Sequence, residues 1–238
     1  MLDIRILHWN IHSWRDDAGA PNVDAVGDLI ATTSPDVVSL VEVDEGWGAS
    51  SVLAPLAGRL GLAWVFPPTV HYGDDAGPLG GYGNALLVRP PIRAVQQWQL
   101  RWPQRLYDGS ESSEARTVLL VRLDVGPAGL WVGSTHLPRR SAPARAAALD
   151  RLLTLTRGLD APWLICGDFN TPADSWVPAD GTAQVAPPTP QPSYPASAPA
   201  EPIDYLVASP ALTVRAELLD RAGSDHLPLL GSAGWPLS

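Results

Sequence analysis

The chain has 238 residues, 45% hydrophobic and 17% charged, a composition that belongs to a globular protein able to bury a substantial core. Its formal net charge is −9 and every Lys/Arg position is arginine, which disfavours sequence-independent nucleic-acid binding, although a metal held by clustered carboxylates would reverse the local sign. One cysteine, Cys166, excludes an internal disulfide and a Cys-rich zinc site, and no stretch approaches the roughly 20 apolar residues of a membrane span.

In chain order, strand-like apolar runs fall at residues 4–9, 37–43, 85–88, 118–123, 130–135, 163–166, 203–208 and 227–230. The first begins almost at once, without the basic, apolar and small-residue pattern of a secretory signal, so a cytoplasmic location is expected, as is a monomer. A helix is predicted over 22–33, with Asn22 as N-cap, Val23, Val26 and Ile30 on one face and Pro35 as stop. A second is predicted over 50–60, closed by Gly61, and a third over 144–159, entered through Ser141 and Pro143 and leaving at Gly158. Residues 86–100 and 118–135 read as consecutive strands joined by turns, one of them at 126–129. Helices follow only some strands, which points to packed sheets flanked by helices and away from a uniform parallel barrel. The Pro- and Ala-dense stretch 172–202 is followed by too few strands for a second domain, so it reads as a long surface loop.

Short polar motifs close or adjoin several of these strands: Trp9-Asn10, Glu42 within 40–44, Thr135-His136-Leu137, Gly167-Asp168-Phe169-Asn170 and Ser224-Asp225-His226. Any one of them could simply cap a turn. Together they place polar groups on one edge of a sheet, and their types suit one chemistry. Glu, Asp and Asn supply oxygen ligands for a hard cation, Mg²⁺ or Mn²⁺, while histidines hydrogen-bond a phosphoryl group or move a proton near neutral pH.

In these motifs and their order, the sequence resembles the endonuclease/exonuclease/phosphatase superfamily, which shares the fold of pancreatic deoxyribonuclease. The resemblance covers nearly the whole chain. It implies a single catalytic domain over 1–238 of α/β class: a four-layer sandwich, two packed mixed β-sheets flanked by helices. The implied activity is hydrolysis of a phosphoester, foremost a phosphodiester, by metal-activated water. Glu42 would be the principal metal ligand with Asn10 beside it, and Asp225 would help with metal. Asp168 and Asn170 would orient the attacking water and contact phosphate or metal, and His136 would hydrogen-bond the scissile phosphate. Asp204, in Ile203-Asp204-Tyr205, would pair with His226 to bind phosphate and assist proton transfer. Which group acts as base stays open.

Two further positions have two readings each. Asn84, in a Gly-Asn-Ala-Leu-Leu strand like that of the family, either reaches the site or opens a strand from a turn. Arg116 either contacts phosphate or forms a surface ion pair with Glu111 or Glu114. Val41 stands where many relatives carry a glutamine that supports the metal-binding glutamate.

His8 reads as structural, His12 as lining the cleft and His71 as exposed in a loop. Trp14, Trp47, Trp102 and Trp176 fall in expected loops, where one or two could stack on substrate. The cleft is expected between residues 67–81, 102–113 and 172–202. The substrate is a nucleic acid, a small phosphodiester or phosphomonoester, or a phospholipid headgroup, with the acidic balance favouring the smaller ones over nucleic acid. The alternative is a non-catalytic binding module on the same fold.

Overall fold

Leucine- and valine-rich runs, buried on both faces in the central strands, build two sheets in the computed structural model, which describes residues 3–74, 77–102, 109–126, 128–178, 180–220 and 223–235. Residues 75–76, 103–108 and 179 of the expected cleft and residue 127 of the expected 126–129 turn lie outside the described residues. The strands are β1 (Asp3–Asn10), β2 (Val37–Gly46), β3 (Ala63–Val65), β4 (Val70–Asp74), β5 (Gly77–Val88), β6 (Ile92–Arg101), β7 (Arg116–Leu123), β8 (Leu130–His136), β9 (Trp163–Asp168), β10 (Gln184–Ala186), β11 (Asp204–Ala208), β12 (Thr213–Leu218) and β13 (Leu229–Gly234). The helices are α1 (Val23–Thr33), α2 (Leu53–Leu60) and α3 (Ala142–Arg157).

The seven-stranded sheet runs β12-β13-β1-β2-β5-β3, with β4 also paired to β5; the six-stranded sheet runs β10-β11-β9-β8-β7-β6. Both are mixed: β1–β2 and β8–β9 are parallel, and the other pairs are antiparallel. The inner faces pack through Ile6, Val37, Leu86, Leu119, Val132, Leu164 and Leu206. The helices α1 and α2 cover the outer face of the first sheet through Leu29, Ile30, Leu53 and Leu56, and α3 covers the second through Leu149 and Leu152. This is the four-layer sandwich expected. Each fully buried Leu or Ile in these layers stabilises the fold by about 1.5–3 kcal/mol. No helix among the described residues is long and apolar enough to cross a membrane.

The local corrections have physical causes. Asn22 occupies the N-cap position of α1, but its side chain does not cap it. Its amide instead donates to the carbonyls of Ile11 (3.1 Å), Arg15 (2.8 Å) and Gly223 (2.6 Å), tying the loop after β1 to the one before β13. The second helix starts at Leu53 because the buried Glu45 carboxylate accepts the main-chain N–H groups of Val52 (3.1 Å) and Leu53 (3.1 Å), ending the preceding turn. Ser141 does cap α3, accepting from Ala144 N at 3.4 Å. The stretch 172–202 is more than a loop: it contributes β10, which pairs with β11 at the edge of the second sheet. His71 lies on β4, exposed, and not in a loop.

Candidate active site

Strand ends from both sheets meet at one edge of the sandwich. In the second sheet His136 is in register with Asp168, and Asp168 with Asp204, so β8, β9 and β11 present a row of polar residues at one level. Gly167 permits this closeness, since a Cβ there would stand 2.9 Å from the Thr135 methyl and 3.0 Å from the Phe169 ring. In the first sheet β1 ends at Asn10. Glu42 breaks the β2 ladder: the register shifts between Leu40 and Val43, and Glu42 takes φ = 58°. That bulge turns its carboxylate toward Asn10.

The side chains then form a connected set. Asn10 Nδ2 lies 2.9 Å from Glu42 Oε1 and 3.0 Å from Asp168 Oδ2, while Asn10 Oδ1 accepts from His12 N at 3.1 Å. His136 stands between the same carboxylates, 3.5 Å from Asp168 Oδ2 and 3.9 Å from Glu42 Oε1. His226 Nδ1 is 2.7 Å from Asp204 Oδ2, which also accepts from Ser193 Oγ at 2.6 Å, and His226 Nε2 lies 3.7 Å from Asp168 Oδ2. Asn170, at φ = 52°, donates its main-chain N–H to Asp168 Oδ1 (3.0 Å) and its amide to Leu137 O (2.9 Å). Trp9 anchors the last loop by donating to His226 O at 2.8 Å.

Burial sets the electrostatics. Burial and the charge of Asp204, opposed by His226 and Asn10, push the Asp168 carboxyl up from 3.8 to about 7. Burial acts against the charged form of Asp204 too, but the His226 charge and hydrogen bond hold this carboxyl well below the usual range. Burial disfavours the imidazolium of His226, yet the charges of Asp204 and Asp168 and the Asp204 hydrogen bond raise its pKa from 6.5 to about 10. His136 moves the other way, well below 6.5, through burial and the neighbouring charges of Arg116 and His226.

The remaining expected positions are spread around this set. Asp225 sits at the rim, 3.8 Å from His12 Nδ1 and within reach of Ser224 Oγ (3.3 Å). Arg116 is buried and paired with Glu114 through both Nη atoms (3.0 and 3.1 Å), so its ion pair is internal and not on the surface; its charge is felt at His136. Asn84 lies inside β5, and its amide nitrogen is committed to the carbonyls of Thr117 (3.1 Å) and Ser134 (3.4 Å), joining the two sheets. Val41 is fully buried, and the support of the Glu42 carboxylate comes from Asn10. Trp14 is buried and donates to Asp44 O at 2.8 Å, and Trp176 is held by Tyr205 Oη at 2.6 Å; Trp47 and Trp102 stay exposed.

Some contacts were not anticipated. His8 is fully buried, with Nε2 3.4 Å from Asp204 Oδ1 and Nδ1 3.0 Å from Ser39 Oγ, which in turn donates to Ser134 Oγ at 2.8 Å. The signal for it is strand periodicity: His8 and Asn10, two residues apart on β1, share a face. Ser193 and Tyr194 come from the Pro-rich stretch, where no periodicity announces them; the Tyr194 ring lies 4.7 Å from that of His226.

Donor chemistry decides which residues fit a metal. Asp168, Asp204 and His226 offer ligand atoms within 4.8 Å of one another, but Asp204 and His226 already satisfy each other at 2.7 Å. Glu42 differs, because its carboxylate is aimed inward by a left-handed bulge and shares a single amide with a second carboxylate, that of Asp168. An oxygen-rich position of this type suits a hard divalent cation.

Two packed mixed sheets with a carboxylate–histidine cluster at one edge define an α/β sandwich of the deoxyribonuclease-like kind. The chain belongs to the Endonuclease/Exonuclease/phosphatase family, which it matches over residues 7–226. Among solved structures it is similar to an endonuclease/exonuclease/phosphatase from Beutenbergia cavernae, with 23% identity and TM-score 0.74 over 98% of this chain and 72% of that one. One from Bacteroides vulgatus aligns with TM-score 0.76 at 15% identity, over 99% of this chain and all of the other. A mannosyl-6-phosphatase from Bacteroides thetaiotaomicron aligns with TM-score 0.73 at 14% identity, over 98% of this chain and all of the other. A comparison with curated proteins finds no match.

Proposed function

We propose that residues 1–238 form one catalytic domain, a divalent-metal-dependent phosphoesterase that hydrolyses a phosphodiester with Mg²⁺ or Mn²⁺. The observation that carries this reading is the buried Asp204–His226 pair, 2.7 Å apart, beside two carboxylates that share the amide of Asn10. Family membership and the phosphatase among the structural neighbours support it.

Glu42 would hold the cation, with Asn10 keeping Glu42 and Asp168 in place and Asp225 assisting from the rim. When bound, such an ion neutralises phosphate charge and lowers the pKa of water. Asp168, with a pKa near neutrality, and Asn170, which fixes it, orient the attacking water, and Asp168 accepts its proton. His226, held as imidazolium by Asp204, donates to the phosphoryl oxygens and supports the departing one. His136 stays neutral and donates one hydrogen bond to the phosphate. Arg116 stands behind it as a fixed positive charge. The substrate is a nucleic acid, a small phosphodiester or a phospholipid headgroup.

Hydrolysis of bis(4-nitrophenyl) phosphate tests this. Turnover should vanish in EDTA and return with Mg²⁺ or Mn²⁺; undiminished turnover in EDTA would rule the proposal out.

A further inference from the structure

A row of three side chains leads from the catalytic pair to the surface. The Tyr194 ring lies 4.7 Å from the His226 ring, tilted by 45°. The Arg139 guanidinium sits 4.4 Å from the centre of that tyrosine ring, and its Nη1 donates to Tyr194 Oη at 3.0 Å. Both ends of the contact are tied down. Arg145 Nη1 donates to the carbonyls of Pro138 (2.8 Å) and Arg139 (2.7 Å), and the Arg140 N–H donates to the Glu111 carboxylate at 2.9 Å. Tyr194 is bridged to Glu201, and Leu227, next to His226, donates to Ser193 O at 2.9 Å.

The carboxylates of Glu201 and Asp168 favour the charge of Arg139 only from beyond ion-pair distance. Arg116, Arg122 and Arg140 each pair with a carboxylate, whereas no carboxylate of the described residues lies within ion-pair distance of Arg139, in a chain of net charge −9. One of its donors is committed to Tyr194, and the residue is exposed. A guanidinium pre-oriented on an aromatic ring in this way matches the two oxygens of a phosphate or carboxylate.

We propose that Arg139, held on Tyr194, is a second anion-binding position next to the scissile phosphate, and that the preferred substrate is a phosphoester carrying a further anionic group close to the bond that is cut. This rests on the phosphoesterase reading above.

Two nitrophenyl esters of thymidine 5′-phosphate, one bearing a 3′-phosphate and one with a free 3′-hydroxyl, differ only in that group. Wild-type protein with Mg²⁺ should favour the 3′-phosphorylated ester in kcat/KM by about tenfold or more, mainly through KM. Arg139→Ala should bring the ratio close to one and Arg139→Lys should keep part of it; each ratio is internal to one protein, so a loss of folded fraction cancels. Equal use of both esters by wild type, or an Arg139→Ala loss that is the same for both, overturns the proposal. Should neither ester be cleaved, the phosphoesterase reading fails separately. Calorimetric titration with thymidine 3′,5′-bisphosphate and thymidine 5′-phosphate then reads the position directly. Tighter bisphosphate binding that Arg139→Ala abolishes supports it, and equal affinities refute it.

Discussion

His226 and Asp204 reach each other at 2.7 Å from different sheets: Asp204 begins β11 of the six-stranded sheet, and His226 stands just before β13 of the seven-stranded one. The pair to which the proposal gives the chemistry is therefore also a staple between layers. Breaking a buried pair by removing one partner costs about 3–5 kcal/mol, so Asp204→Leu should lower stability as well as activity. Asp204→Asn keeps an acceptor for His226 Nδ1 but removes the charge. It should fold and yet lose about 10²–10⁴ in kcat, read under saturating Mg²⁺.

Without metal, stability should depend on pH through His226. Its folded pKa, about 10, lies above its ordinary 6.5. The stabilisation is therefore complete below pH 6.5 and is lost as pH rises toward 10. The opposite contribution of His136, whose pKa is lowered, is complete above 6.5, and that of Asp168, whose pKa is raised to about 7, is lost by the start of the window, so the fall from above 7 toward 10 reads His226. Thermal melts in EDTA should show Tm falling from the lower to the upper end of the range, and His226→Asn should flatten the fall. A melt that is flat for the unmodified protein would contradict this.

His8 Nε2 faces the free oxygen of Asp204 at 3.4 Å, and His8 has no other ion pair among the described residues. Replacement by Leu should remove the polar group facing that oxygen and reduce kcat by about 10–100-fold, the usual effect of losing a group that orients a catalytic one. His8→Gln, which restores a donor near the Nε2 position, should recover part of the loss. Equal activity of the two variants would show that His8 only fills space.

Glu45 tests the fold independently of the site. Its carboxylate accepts from Val52 and Leu53 at the start of α2 and from Ser51, and it is almost fully buried. Glu45→Ala should cost about 1–2 kcal/mol in urea melts while leaving Mg²⁺ dependence intact.

The sandwich was legible because its strands are long apolar runs and its polar motifs end them; residues 37–43 and 163–166 fall within β2 and β9. The edge strands were harder. Thr213–Leu218 alternates Val, Ala and Leu with Thr, Arg and Glu, which is strand periodicity, but Gln184–Ala186 is three residues among prolines and carries no pattern. Within the site, residue types pointed to Asn10, Glu42, His136, Asp168, Asp204 and His226, which the fold brings together. The bulge that aims Glu42 was not readable, since φ = 58° at a glutamate is imposed by tertiary packing and not by propensity. Nor was the role of Asn22, whose type fits a cap equally well, or of Tyr194, which reaches His226 only through the path of the 172–202 stretch.

Glu42 carries the central claim, because a bulge turns its carboxylate inward and it shares the Asn10 amide with Asp168. The direct measurement is kcat/KM for bis(4-nitrophenyl) phosphate against Mg²⁺ concentration for wild type and Glu42→Gln, with Mg²⁺ binding followed by calorimetry on both. The expected result is weaker Mg²⁺ binding and a loss of about 10²–10⁴ in kcat/KM, the several kcal/mol that a bound cation supplies. A Glu42→Gln protein that binds Mg²⁺ and turns over as wild type does would contradict it.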